Sequence, residues 1–166
     1  MKIAVGADHR ATEVVKQIVQ SLKTSGHEVQ QFGVVCNTNH SGATNSCDYP
    51  DQAYPVAKAV ASGQADRGIL FCGTGIGMSI AANKVDGIRA ALVHDEIGAR
   101  ICRQHNDANV LCLSADMLGM RIIEQIIEAW LSTPFDGGRH ARRIAKITAI
   151  EQGREPSSVT EADSAV

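Results

Sequence analysis

The chain lacks any apolar run close to the roughly 20 residues of a membrane span, so no spanning helix is expected. Before Asp8 it carries only a short apolar-and-small run, which does not match a secretion signal. Aromatic residues are scarce, at 4%. That argues against a stacking platform for single-stranded nucleic acid. Net charge is small, at −2, which disfavours polyanion binding over the whole surface. Cysteines number five, an odd count. With no export signal this argues against a disulfide framework and for a reducing, cytoplasmic setting. Cys102 and Cys112 read as packing residues. Cys36, His40 and Cys47 share a polar loop, but three ligands at those spacings match no common zinc pattern, so no metal is expected.

What is present suits one folded domain. The 166 residues are 44% apolar and 20% charged, enough to bury a core without staples. Short apolar runs at 2–6, 28–32, 68–71, 88–93 and 109–113 read as strands. Segments 11–24, 51–62, 78–84, 94–104, 118–131 and 139–151 read as helices, the first with Val14, Val15, Ile18, Val19 and Leu22 on one face. Strands alternating with helices predict an α/β fold: a three-layer, Rossmann-like or flavodoxin-like five-stranded parallel sheet with helices on both faces. One domain is expected over residues 1–150. Residues 151–166 should hold the end of the last helix and a disordered acidic tail.

In such sheets ligands bind at the carboxyl ends of the strands. Asp8 and His9 follow the first strand. Cys72 ends the third and opens the loop Gly73-Thr74-Gly75-Ile76-Gly77. Its glycines let backbone amides approach an anion, with the following helix N-terminus adding partial positive charge. It is neither the dinucleotide fingerprint nor a Walker loop. Cys72 reads either as a base or nucleophile beside a helix start, or as a core cysteine. Asp8 reads equally as a helix cap. His94 and Asp95 follow the fourth strand, and the next helix ends in His105 and Asn106, with Asn106 a candidate left-handed cap. These groups are expected to converge on one edge. Arg139 and Arg143, four apart, share a helix face that suits a phosphate.

The segments DHR, CDYPD, CGTGIGMSIAANK, GIRAAL, RQHNDANVL and PFDGGRHARR resemble the ribose-5-phosphate isomerase B family, in order from about residue 1 to 150. That family includes galactose-6-phosphate and allose-6-phosphate isomerases. The resemblance implies an aldose–ketose isomerase of a phosphorylated sugar, without metal or other cofactor, in the pentose phosphate pathway. It implies Cys72 as the base, Thr74 and the amides from Gly73 to Gly77, Ile76 included, around an enediolate oxygen, and His105 as the ring-opening acid. Asp8 and Asn106 would hold sugar hydroxyls. His9, Arg139 and Arg143 would grip phosphate, and Tyr49 would line the site. It further implies a homodimer or tetramer in which Arg139 and Arg143 complete a neighbour's site. Met78 stands where a second version of the family carries a glutamate base, so this chain matches the cysteine version. Asp116 stands where many members carry an arginine that joins the phosphate clamp. The remaining alternatives are a hexose or tetrose phosphate as substrate and a non-catalytic sugar-phosphate-binding protein.

Overall fold

The structure, a computed structural model, describes residues 1–33 and 47–160. Cys36 and His40 lie outside them. Five parallel strands, β1 (Lys2–Ala7), β2 (Glu28–Phe32), β3 (Arg67–Cys72), β4 (Ala90–Leu92) and β5 (Val110–Ser114), alternate with helices. These are α1 (Thr12–Thr24), α2 (Tyr49–Ala61), α3 (Ile76–Ala82), α4 (Glu96–Asn106), α5 (Met120–Ser132) and α6 (Arg139–Glu151).

Side chains alternate across each strand and divide the core into two layers. Ile3, Val5, Ile69, Phe71, Leu111 and Leu113 face α1, α4 and α5, packing with Ile18, Ile126 and Trp130. Ala4, Leu70, Cys72, Val110 and Cys112 face α2 and α3, packing with Val56, Met78 and Ala82. Strands covered on both faces need unbroken apolar runs, which is why β1, β3 and β5 read so plainly in the sequence. Cys72 therefore ends a central strand on the α2–α3 face.

The α/β class is as expected, and the order is β2-β1-β3-β5-β4. The flavodoxin-like order would place β4 beside β3. Here β5 takes that place because all five of its residues are buried, whereas the three of β4 are half-buried and suit an edge. β4 is also shorter than its apolar run. At its start two N–H groups are bonded to side chains, Arg89 N–H donating to Asn109 Oδ1 at 2.8 Å and Ala90 N–H to Asn83 Oδ1 at 2.8 Å. Order extends past α6, where Pro156–Ser158 forms a 3-10 turn and Val159 is buried. Against the expectation of a reducing setting without a disulfide framework, Cys47 is disulfide-bonded, while Cys72, Cys102 and Cys112 are free thiols. Among the described residues no helix is long and apolar enough to cross a membrane.

Leu111 is fully buried in the sheet's centre, so Leu111→Ala should cost about 3 kcal/mol of stability through lost burial and the cavity left. Urea unfolding followed by fluorescence of Trp130, the only tryptophan, checks this. An unchanged midpoint contradicts the packing described.

Candidate active site

The chain leaves β1 to build β2 on one side and returns to build β3 on the other. That reversal opens a crevice at the carboxyl ends of β1 and β3. Asp8 and Cys72 flank it, and the Asp8 N–H donates to the Phe71 carbonyl at 3.2 Å. The buried Asp8 carboxylate accepts from the Arg10 N–H at 2.9 Å, capping a 3-10 turn over His9–Ala11. Burial raises its pKa above the ordinary 3.8. The Asp116 charge adds to that, while the Arg10 N–H bond and the His9 and Arg10 charges oppose it.

The loop after β3 turns on Gly75, which has φ 76°. A Cβ there would lie 2.6 Å from Leu92 Cδ1 and 3.0 Å from the Leu113 carbonyl carbon. Only glycine fits. The turn aims the Gly75 N–H at Cys72 Sγ, 3.0 Å away, and the Ile76 N–H at Thr74 Oγ1, 3.3 Å away. The N–H groups of Gly73 and Thr74 have no acceptor among the described residues. Cys72 is 5% exposed. Since α3 has only seven residues, loop amides rather than a long helix dipole make this edge receptive to negative charge. The Tyr49 ring closes one side, so near that a Cβ on Gly77 would meet its Cε2 at 2.6 Å. His9 Nδ1 accepts from the Cys47 N–H at 3.4 Å, just before α2. Met78 is fully buried and presents nothing to the crevice.

Asp8, His9, Tyr49, Cys72, Thr74 and the glycine loop thus gather as expected. His105, Asn106, Arg139 and Arg143 do not join them. α4 starts at the carboxyl end of β4 and runs back, so its last residues lie at the amino end of the sheet. There Arg89 Nε donates to the Asn106 and Asp107 carbonyls, both at 3.0 Å, and Gly68 N–H at the foot of β3 donates to the Asn109 carbonyl at 2.9 Å. From Gly68 to Cys72 the strand rises about 13 Å, at roughly 3.3 Å per residue. The expectation that one edge of one chain collects both thiol and imidazole is therefore corrected. The left-handed helix cap is Asp107, φ 46°, rather than Asn106.

At this second locus His105 stacks on buried His140, with ring centroids 4.2 Å apart and planes 4° from parallel. Arg139 Nε donates to His140 Nε2 at 3.3 Å. Burial lowers the His140 pKa below its ordinary 6.5, helped by the charges of His105, Arg139 and Arg143 and opposed by Asp136. Ligand atoms of His105, Asp136 and His140 lie within 4.8 Å of one another. Parallel rings do not converge their in-plane lone pairs on one ion, so holding a metal would require a ring to turn. Sequence reasoning missed Asp136 and His140; the signal was their spacing of four across a helix start. It also gave Arg10 no role, although Arg10 follows a strand end.

A thiol beside uncommitted amides at the mouth of a parallel α/β sheet has the makings of an enzyme site, with a base or nucleophile next to donors for an oxygen that becomes negative. A family model described as Ribose/Galactose Isomerase matches residues 3–147. The chain belongs to that family, and it is an isomerase. It is 44% identical over 152 residues to ribose-5-phosphate isomerase B of Escherichia coli, covering 92% of this chain and 98% of that one. It is 41% identical over 151 residues to D-erythrulose-4-phosphate isomerase of Pectobacterium atrosepticum, covering 91% and 95%. Among solved structures, ribose-5-phosphate isomerase B of Clostridium thermocellum superposes with a TM-score of 0.84 at 46% identity, covering 92% and 99%.

The raised Asp8 pKa carries a sign. The fold favours the protonated carboxyl, so stability is lost as pH rises from 3.8 through the folded value. Asp8→Asn keeps an acceptor without the buried charge. Its urea midpoint should match the parent's near about pH 3 and exceed it near about pH 7. A variant that gains nothing across that range contradicts the burial assigned to this carboxylate.

Proposed function

We propose that the chain interconverts ribose 5-phosphate and ribulose 5-phosphate by proton transfer through an enediolate, in the pentose phosphate pathway. The observation that carries this reading is the Cys72 thiol at the end of β3, beside the uncommitted N–H groups of Gly73 and Thr74. The ring-opened aldose presents its C2–H to Cys72. The thiolate takes that proton, the C2–H electron pair becomes the C1–C2 double bond, and the carbonyl π pair moves onto O1. Negative charge grows on that oxygen, where the loop amides and Thr74 stabilise it. The O2 proton then passes to O1, the O2–H electron pair becomes the C2 carbonyl, and the C1–C2 π pair takes the proton back from Cys72 at C1, which gives the ketose and restores the thiolate.

Ring opening is assigned to His105 as acid, with Asn106 and Asp8 on sugar hydroxyls and His9, Arg139 and Arg143 on phosphate. Proton transfer needs groups within hydrogen-bond reach of one substrate. The two loci of one chain lie at opposite ends of the sheet, so the working site takes Cys72 from one subunit and His105, Asn106, Arg139 and Arg143 from another. Each locus has exposed apolar neighbours suited to a subunit interface: Ile76 and Ile80 beside the first, Ile101 and Ile147 beside the second. A two-fold dimer makes two such sites.

A second reading keeps the chemistry and shortens the sugar to a tetrose phosphate. The relative from Pectobacterium atrosepticum favours it.

Purified protein assayed with ribose 5-phosphate in the presence of a chelator should turn it over, and Cys72→Ala should abolish nearly all turnover. Activity on erythrulose 4-phosphate alone moves the substrate and keeps the mechanism. Retained activity in Cys72→Ala removes the base. Mixing inactive Cys72→Ala with inactive His105→Asn through unfolding and refolding should restore about a quarter of parent activity, since half the dimers are mixed and each has one intact site. No recovery argues that both groups act within one chain.

A further inference from the structure

Two opposite charges, Arg10 and Asp116, roof the glycine loop and have no part in the chemistry above. Arg10 follows β1 and Asp116 follows β5, the two neighbours of β3 in the sheet. Arg10 Nη2 and Nε both donate to Asp116 Oδ2, at 2.7 and 3.2 Å. Asp116 is itself pinned, its N–H donating to the Gly73 carbonyl at 3.1 Å, while Ser114 Oγ donates to the same carbonyl at 2.6 Å. The pair lies directly on the loop: a Cβ at Gly73 would be 2.8 Å from Asp116 Oδ2 and 3.8 Å from Arg10 Cγ. A guanidinium is thus fixed next to the residue that follows Cys72.

The pair makes a weak structural staple. Its side chains are 57% and 40% exposed, and exposed ion pairs contribute little to stability. Its geometry suits another use. Asp116 occupies the Nε–Nη2 edge of the guanidinium. The Nη1–Nη2 edge has no acceptor among the described residues, and such an edge matches two phosphate oxygens at once. Asp116 also removes the rotamer freedom that an exposed arginine would otherwise lose on binding. Arg139 and Arg143 of the same chain lie at the far end of the sheet. Arg10, by contrast, is a guanidinium that this chain holds against its own glycine loop.

We propose that Arg10, held by Asp116 over Gly73, grips the phosphoryl group of the substrate through its Nη1–Nη2 edge. The assignment rests on the sugar-phosphate reading and adds to it a phosphate-binding residue from the thiol-bearing subunit.

The test uses full-length parent, Arg10→Ala and Arg10→Lys. Binding of inorganic phosphate is measured by calorimetry at low salt, and KM and kcat with ribose 5-phosphate. Arg10→Ala should weaken phosphate binding and raise KM by about tenfold to a hundredfold, as for a lost charged hydrogen-bond pair, with kcat falling far less. Arg10→Lys should recover only part, because an ammonium cannot make the two-point contact. Unchanged phosphate affinity and KM in Arg10→Ala overturn the assignment and leave the isomerase reading standing. A parent that turns over no sugar phosphate, yet binds inorganic phosphate with the same dependence on Arg10, removes the isomerase reading and keeps this site.

Discussion

The crevice depends on one steric constraint: the turn at Gly75 must lie flat on β5. Its left-handed backbone presses against Leu113 and the Leu92 side chain, where no Cβ fits. That contact bends the chain back over its own strand end, so the Gly75 amide meets the Cys72 sulfur and holds it at the crevice. It also turns the Gly73 carbonyl toward β5, where the Ser114 hydroxyl and the Asp116 amide meet it. Asp116 is then within reach of Arg10, and the ends of β1, β3 and β5 are joined through side chains as well as the ladder. Three features that look separate in the sequence, a glycine run, a cysteine and an Arg–Asp pair, follow from a single close approach. β5 must be a central strand for this to happen, which ties the strand order to the site.

Helix direction explains why the other half of the chemistry lies elsewhere. In a parallel sheet every crossover helix runs opposite to the strands it joins, so the residues that end the helix approach the amino edge. His105 and Asn106 end α4, and α6 packs beside α4 with Asp136 N–H donating to the Gln104 carbonyl at 3.1 Å. Imidazoles and arginines accumulate there by topology. In the proposed dimer, neither the thiol end nor the imidazole end of one chain is complete without the other end of its partner.

Fold class was legible because β1, β3 and β5 are buried on both faces and their apolar runs leave no other reading. The thiol-bearing half of the site was legible for a related reason: strand ends can be found by counting, and Asp8, Cys72 and the glycine loop stand there. The order of β4 and β5 was not legible, since it depends on which strand is better covered, a comparison of burial between distant segments. The edge that His105 occupies is not legible from residue order, because an 11-residue helix carries its end about 16 Å away at 1.5 Å per residue. The Arg10–Asp116 pair spans 106 positions and leaves no periodic trace. In the sequence Asp116 stands out only as a departure from the family pattern, and its pairing with Arg10 depends on β1 and β5 flanking β3.

Charge links the two halves. Around His140, burial and the nearby Arg139 and Arg143 charges hold the imidazole toward its neutral form, and Asp136 alone offsets them. Concentrated positive charge of this kind is unfavourable in an isolated chain and becomes favourable beside a dianion. Across the proposed interface, the thiol half brings Arg10 already paired with Asp116, close to neutral overall. A substrate phosphoryl group at the junction would therefore be met by surplus positive charge mainly from the imidazole half and by directional hydrogen bonds from Arg10 on the other. Whatever binds both halves of a site better than either alone also favours their assembly. In this arrangement the phosphate orients the sugar over Cys72 and, through the same contacts, strengthens the pairing of subunits that brings His105 to it.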